Sequence, residues 1–149
     1  MSALTSIPQN TKDRIRQFRF STSRADTIKA IILCIQRSPS YEVIIDEECT
    51  EEAEEVNNIE DLRDVLPANE PRYVLLAYPT STVDLRKRTL LVLLYWKPVT
   101  VVSQEWKMVY AGALEHVRSE CAPNKYVEVT SSLEDDNDVD ELKGQLEIK

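Results

Sequence analysis

Apolar and polar positions recur along this chain with two periods, and the switches between them divide it into elements. Ile7, Thr11, Ile15 and Phe18 lie three or four apart, which predicts a helix over 11–18 capped by Asn10, apolar on one face and basic elsewhere. Residues 27–36 and 41–46 are rich in β-branched side chains and are separated by a turn containing Pro39, so they predict a strand pair. Next comes DEECTEEAEE, with seven carboxylates in ten residues, read as a solvated linker. A short amphipathic helix over 59–65 stops at Pro67.

Two further strands, 73–78 and 89–96, flank a polar hairpin loop over 79–88. The second is apolar on both faces and therefore belongs mid-sheet, and Pro98 ends it. The longest helical pattern runs over 103–121, where Trp106, Val109, Tyr110, Ala113, Val117 and Cys121 recur at helical spacing. This is the main helix expected to pack on the sheet. Residues 126–129 make one more strand, and 139–148, behind an acidic capping segment, make a last amphipathic helix. Strand pairs followed by helices and an isolated late strand indicate an α+β mixed sheet flanked by helices, distinct from a regular βαβ nucleotide fold.

Composition narrows the chemistry. The chain has 149 residues and 42% hydrophobic content, which suits one domain with a real core. With 2 glycines and 1 histidine it cannot build a phosphate-cradling glycine loop or a multi-histidine metal site. Cys34, Cys49 and Cys121 form no C-x-x-C pair, which suits a reducing, intracellular compartment. The start, MSALTSIPQN, lacks the pattern of a signal peptide, and the longest near-apolar run, 90–96, is too short to span a membrane. A soluble chain is expected.

Candidate catalytic groupings do not assemble. Asp46, Glu47 and Glu48 invite a calcium reading, but no glycine lies nearby for the sixth position of a calcium loop. His116 and Cys121 are five apart on one predicted helix, a rotation of about 140°, so they point to different sides. Cys34 lies in an apolar strand as a small hydrophobe. An enzyme or small-molecule binder using the acidic clusters would lack a base, a nucleophile and a glycine loop. No catalytic residue, cofactor or metal is expected.

The outward side of the main helix is the unusual feature. Projection at ~100° per residue sets Gln104, Met108, Ala111, Glu115 and Ser119 opposite the core-facing residues, with Lys107 and Arg118 on the rim. A solvated face is usually dense in Lys and Glu, whereas this one is smooth around Met108, Ala111 and Gly112. Two readings stand here. The face lies in a partner's groove, or Met108 is one of the isolated apolar residues common on surfaces.

The stretch over 71–114 resembles the actin-depolymerising factor homology (ADF-H) domain, through Trp96 and Pro98 after the strand and Lys107, Met108, Tyr110 and Ala111 on the helix. The details are similar to the glia maturation factor subfamily. They include QFRF over 17–20, Asp46-Glu47-Glu48, Leu66-Pro67 followed by Pro71-Arg72, and Met108 to Gly112. The resemblance covers about residues 10–146. It implies a single ADF-H (gelsolin-like) domain over 1–149, core about 10–148, built on a central mixed sheet of five or six strands.

It also implies a non-enzymatic, monomeric regulator that binds the Arp2/3 complex, inhibits branch nucleation and promotes debranching of actin filaments. Actin monomer binding would be weak or absent, with no nucleic-acid or membrane partner. The implied location is the cytoplasm and cytoskeleton, at cortical actin patches, with the nucleus as a further site. Carried over by position, the first partner surface would be Ser2, Arg19, Gln104, Lys107, Met108, Ala111, Glu115 and Arg118. The second would be Arg86, Lys87, Arg88, Glu134, Asp135 and Asp138. The family's hairpin glycine is replaced here by Asp84-Leu85-Arg86, which changes the loop shape. Cofilin-like actin binding and severing is the alternative, but Leu114 and Glu115 stand where cofilins typically carry a lysine. Ser2, Thr5 and Ser6 are candidate phosphorylation sites whose modification would oppose docking into an acidic cleft.

The net charge of −8 is segregated. Residues 1–41 carry +5, 42–70 carry −11, 71–125 carry +4 and 126–149 carry −6. The proposed docking elements are thus basic within an acidic chain, which favours one selective acidic protein partner over polyanions in general.

Overall fold

A computed structural model of the chain describes residues 5–22, 27–36, 41–56, 61–67, 69–81, 87–98, 103–129 and the single positions 140, 142 and 144. For 80, 81, 87 and 88 it describes the backbone alone. The elements in order are α1 (Gln9–Ser21), β1 (Lys29–Gln36), β2 (Glu42–Ile45), α2 (Glu47–Ala53), α3 (Leu62–Val65), β3 (Arg72–Ser81), β4 (Lys87–Trp96), α4 (Gln104–Cys121) and β5 (Lys125–Val129).

The strands form one five-stranded mixed sheet in the order β2-β1-β3-β4-β5. Every neighbouring pair is antiparallel except β4 and β5, which run parallel with Val92 opposite Lys125 and Trp96 opposite Val129. A parallel neighbour needs a crossover, and α4 supplies it.

Period-2 alternation sends one sheet's side chains into two cores. Ile32, Val74, Leu76, Val92, Leu94 and Trp96 face α2 and α3, joined by Leu142 from the C-terminal segment. Leu33, Ile35, Tyr73, Leu75, Leu93 and Tyr95 face α1 and α4, where they meet Ile15, Val109, Tyr110 and Val117. The result is three layers, with the sheet in the middle. The Trp96 indole N–H donates to the Pro67 carbonyl at 2.7 Å, which seats the turn after α3 on the sheet.

Three local expectations change. Helix α1 begins at Gln9, with Pro8 at the cap accepting from the amides of Thr11 and Lys12 through its carbonyl, so Asn10 lies inside the helix. Most of the acidic run is helical instead of a linker. The Asp46 carboxylate accepts from Cys49 N at 3.1 Å, Glu47 and Glu48 complement the positive end of the helix dipole, and Ala53 is buried against the sheet. Of the helix expected over 59–65, Leu62–Val65 is helical as α3, and 57–60 lie outside the described residues. The hairpin strands run further than expected, Pro79 pairing with Thr89 and Ser81 with Lys87. Pro79 lies beyond Ala77, the last β3 residue paired with β1, so its missing N–H leaves no ladder bond unmade. Of the expected last helix, Asp140, Leu142 and Gly144 are helical and the remainder lies outside the described residues.

Candidate docking site

Helix α4 is built to hold one face still and leave the other open. It starts at Ser103, whose Oγ accepts from Trp106 N at 3.2 Å, with Glu105 in the first turn and Arg118 in the last matching the helix dipole. It ends at Ala122, a non-glycine residue in the left-handed region at φ 44°, whose N–H donates to the Arg118 carbonyl at 2.9 Å.

The inward face is fixed by aromatic contacts and hydrogen bonds. The Tyr110 hydroxyl accepts from Ile35 N at 3.0 Å, and the Tyr73 hydroxyl donates to the Tyr110 carbonyl. Burial pushes the Tyr110 hydroxyl up to about 12. Trp106 stands edge-on to Tyr110 at 5.6 Å and to Tyr41 at 6.5 Å between ring centres, and the Tyr41 hydroxyl donates to the Glu105 carboxylate. Beside β2 the N-terminal segment is held as well: Ser6 N donates to the Tyr41 carbonyl at 3.1 Å, and Val43 N donates to the Ser6 carbonyl at 2.9 Å. Thr5 is buried there, which removes it from the candidate modification sites, whereas Ser6 is exposed.

On the outward face Gln104, Lys107, Met108, Ala111, Gly112, Glu115, Arg118 and Ser119 are all exposed, Met108 by 73%. The projected stripe is therefore a real surface, roughly 21 Å long at 1.5 Å per residue. The Arg118 guanidinium lies 4.7 Å from the Tyr126 ring centre, so the far end of the stripe is anchored to β5. Lys12 of α1 reaches Glu120 at 3.7 Å. Arg19 is exposed in the last turn of α1 and close enough to Cys121 to act on its thiol. Arg19 consequently belongs with the C-terminal end of α4, roughly 20 Å along the helix from Met108.

Ser2, Arg86, Glu134, Asp135 and Asp138 lie outside the described residues. Lys87 and Arg88 open β4, paired with Ser81 and Thr80. The structure thus brings six of the expected first-surface residues onto one stripe and sets Arg19 beyond its end. Sequence reasoning missed the brace of Tyr41, Trp106 and Glu105; the aromatic pair at 106 and 110, four apart, is the signal that pointed to it.

The groups with reactive chemistry are otherwise engaged. Burial pushes the thiols of Cys34 up to about 11 and of Cys49 and Cys121 to about 12, so they stay protonated at neutral pH. Burial also works to raise Asp46, but the bonds from Cys49 and Arg72 outweigh it and hold this carboxyl below its ordinary value. Arg72 Nε meets Asp46 at 3.0 Å with both side chains largely buried, and Arg14 clasps Glu47 with two bonds of 2.9 and 3.1 Å. His116 is exposed and Cys121 buried, on different sides of α4. Among the described residues no three His, Cys, Asp or Glu side chains are grouped to hold a metal ion, and no helix is long and apolar enough to cross a membrane.

A mixed five-stranded sheet between helix layers, with its crossover helix presenting a smooth exposed stripe, defines an ADF-H-type binding module. The chain belongs to the family of cofilin/tropomyosin-type actin-binding proteins, which it matches over residues 4–147. It is 56% identical over 147 residues to protein AIM7 of Saccharomyces cerevisiae, covering 99% of each chain. It is 31% identical to glia maturation factor from Caenorhabditis elegans, with a TM-score of 0.69 over 95% of this chain and 98% of that one. A cofilin from Streptomyces griseoflavus shares the fold at 15% identity and a TM-score of 0.69, covering 95% of this chain and 98% of its own. The resemblance to glia maturation factor read from the sequence therefore stands, and the chain is an actin-cytoskeleton regulator of this class.

Proposed function

We propose that this protein binds the Arp2/3 complex, inhibits branch nucleation and promotes debranching of actin filaments, without enzymatic activity and with weak or no affinity for actin monomers. The observation that carries the reading is the α4 stripe, where 73%-exposed Met108 lies beside Ala111 and Gly112 between Lys107 and Arg118, in a chain of glia maturation factor type. A smooth helix face with an apolar anchor and a cationic rim fits a groove with an acidic border. The N-terminal segment with Ser2 and the basic end of α1 with Arg19 extend this surface. Arg86, Lys87, Arg88, Glu134, Asp135 and Asp138 form a second surface for neighbouring subunits. The protein works as a monomer in the cytoplasm at cortical actin patches, with access to the nucleus.

The test is a pull-down on purified Arp2/3 complex beside a monomeric-actin control, followed by time-resolved imaging of branched filaments. Capture of the complex at low salt, its weakening as ionic strength rises, and faster branch loss are expected. Tight binding of monomers with severing of unbranched filaments would select the cofilin-like alternative instead.

A further inference from the structure

Among the described residues, strand β1 is covered along only half of one edge. Leu33 to Gln36 pair with β2, whereas Lys29 to Ile32 pair with β3 on the other side and meet no second strand among the described residues. At Ile32 the N–H donates to Thr50 Oγ1 at 3.0 Å and the carbonyl accepts from Asp46 N at 2.8 Å, so its backbone groups point away from β3 toward α2. Strand alternation gives Ala30 the same direction. In front of it lies a groove of about 1010 Å³ that Ala30 lines, at the top of the usual size range of binding clefts. Phe18 of α1 forms one wall and Ala53 of α2 the other. The Arg14–Glu47 clasp joins the two helices where β2 ends.

The walls differ in charge. On the α1 side Arg16 and Lys29 line the groove; both are exposed, and Arg16 meets Asp13 only loosely at 3.6 Å. On the α2 side the lining charge is Glu54, the residue that ends α2, which itself carries further glutamates. A strand laid along β1 would turn alternate side chains to α1 and to α2. We infer that the open edge of β1 is a second docking site, which takes an extended segment of a partner protein by strand addition, acidic side chains toward α1 and basic ones toward α2. Exposed edges are templates for such pairing, and here the opposed walls supply the selection. The site is independent of the α4 stripe.

The test uses the full chain, labelled with ¹⁵N, titrated with the synthetic peptide Ac-Glu-Lys-Val-Ala-Glu-Lys-NH₂ at low salt. Saturable shifts at the amides of Phe18 and residues 29–31 are expected, and at least tenfold weaker binding for the same peptide N-methylated at alternate residues, which removes its pairing donors. The exposed double variant Arg16→Glu with Lys29→Glu is expected to weaken binding about tenfold, the sum of two modest ion pairs. Equal binding of the N-methylated peptide, shifts at Lys107 and Met108 instead, or none at 5 mM peptide would overturn the inference. So would the same amides shifting on simple concentration of the protein, which would assign the edge to a second copy, or responding to phosphatidylserine vesicles but not to the peptide.

Discussion

Met108 and Val117 lie on one helix nine residues apart, and truncating each to Ala separates docking surface from core. Val117 is fully buried between α4 and the sheet. Removing two methyl groups forfeits about 1.6 kcal/mol of transfer free energy, and the cavity left behind brings the cost to about 2–3 kcal/mol. For a chain of 149 residues each kcal/mol shifts Tm by about 2–4 °C, so Val117→Ala should lower it by about 5–10 °C. Met108 is 73% exposed, and Ala is the better helix former, so Met108→Ala should stay within about 0.5 kcal/mol and 2 °C of the parent. Binding should reverse the order. If Lys107 and Met108 are the anchor of the proposed interface, the double variant to Ala costs at least about 2 kcal/mol, roughly thirtyfold in Kd for the Arp2/3 complex. Calorimetric melting and a quantitative pull-down read the two effects side by side. A melting loss for Met108→Ala equal to that of Val117→Ala would mean that the stripe is core. Unchanged affinity in the double variant would mean that the complex docks elsewhere.

Three further outcomes are expected. A Cβ added at Gly112 meets nothing within 4 Å, so Gly112→Ala should raise stability by about 0.5–1 kcal/mol while weakening the complex if a partner's groove closes over that spot; a fall in urea midpoint would refute the free surface. Arg72→Ala leaves the Asp46 carboxylate buried beside a lost partner and should cost about 3 kcal/mol in urea unfolding, with Arg72→Met no better unless Asp46 is also replaced. Burial holds the Cys121 thiol and the hydroxyls of Tyr95 and Tyr110 at about 12 in the fold, above their unfolded values. Their stabilising contribution is complete below about pH 9 and is lost as pH climbs toward 12, because the unfolded chain ionises first. Urea midpoints that stay flat from pH 8 to 11 would contradict this.

The central strands were legible because their side chains obey a period of two and are β-branched or large, so β4 announced its mid-sheet place through apolar residues on both faces. Helix α4 was legible down to its outward stripe, since the five inward positions from Val109 to Cys121 leave only one arrangement at 3.6 residues per turn. The acidic run misled for an electrostatic reason. Seven carboxylates look self-repelling, yet the cap at Asp46, the dipole end at Glu47 and Glu48, and the burial of Ala53 and Val56 decide the local fold. The open edge of β1 was invisible because it depends on where β2 stops, a matter of register that no local pattern encodes.

The two helices that flank the β1 edge carry opposite charge on opposite faces of the sheet. Helix α2 bears Glu47, Glu48, Glu51 and Glu52, and α1 bears Lys12, Arg14, Arg16 and Arg19 against the lone Asp13. Among the described residues these two helices therefore set a permanent electric dipole across the layers. In the field of an acidic neighbour such a body experiences a torque before it touches anything, and tumbling is biased so that α1 leads and α2 trails. The fraction of collisions that arrive correctly turned rises, while no contact in the final complex need be any stronger.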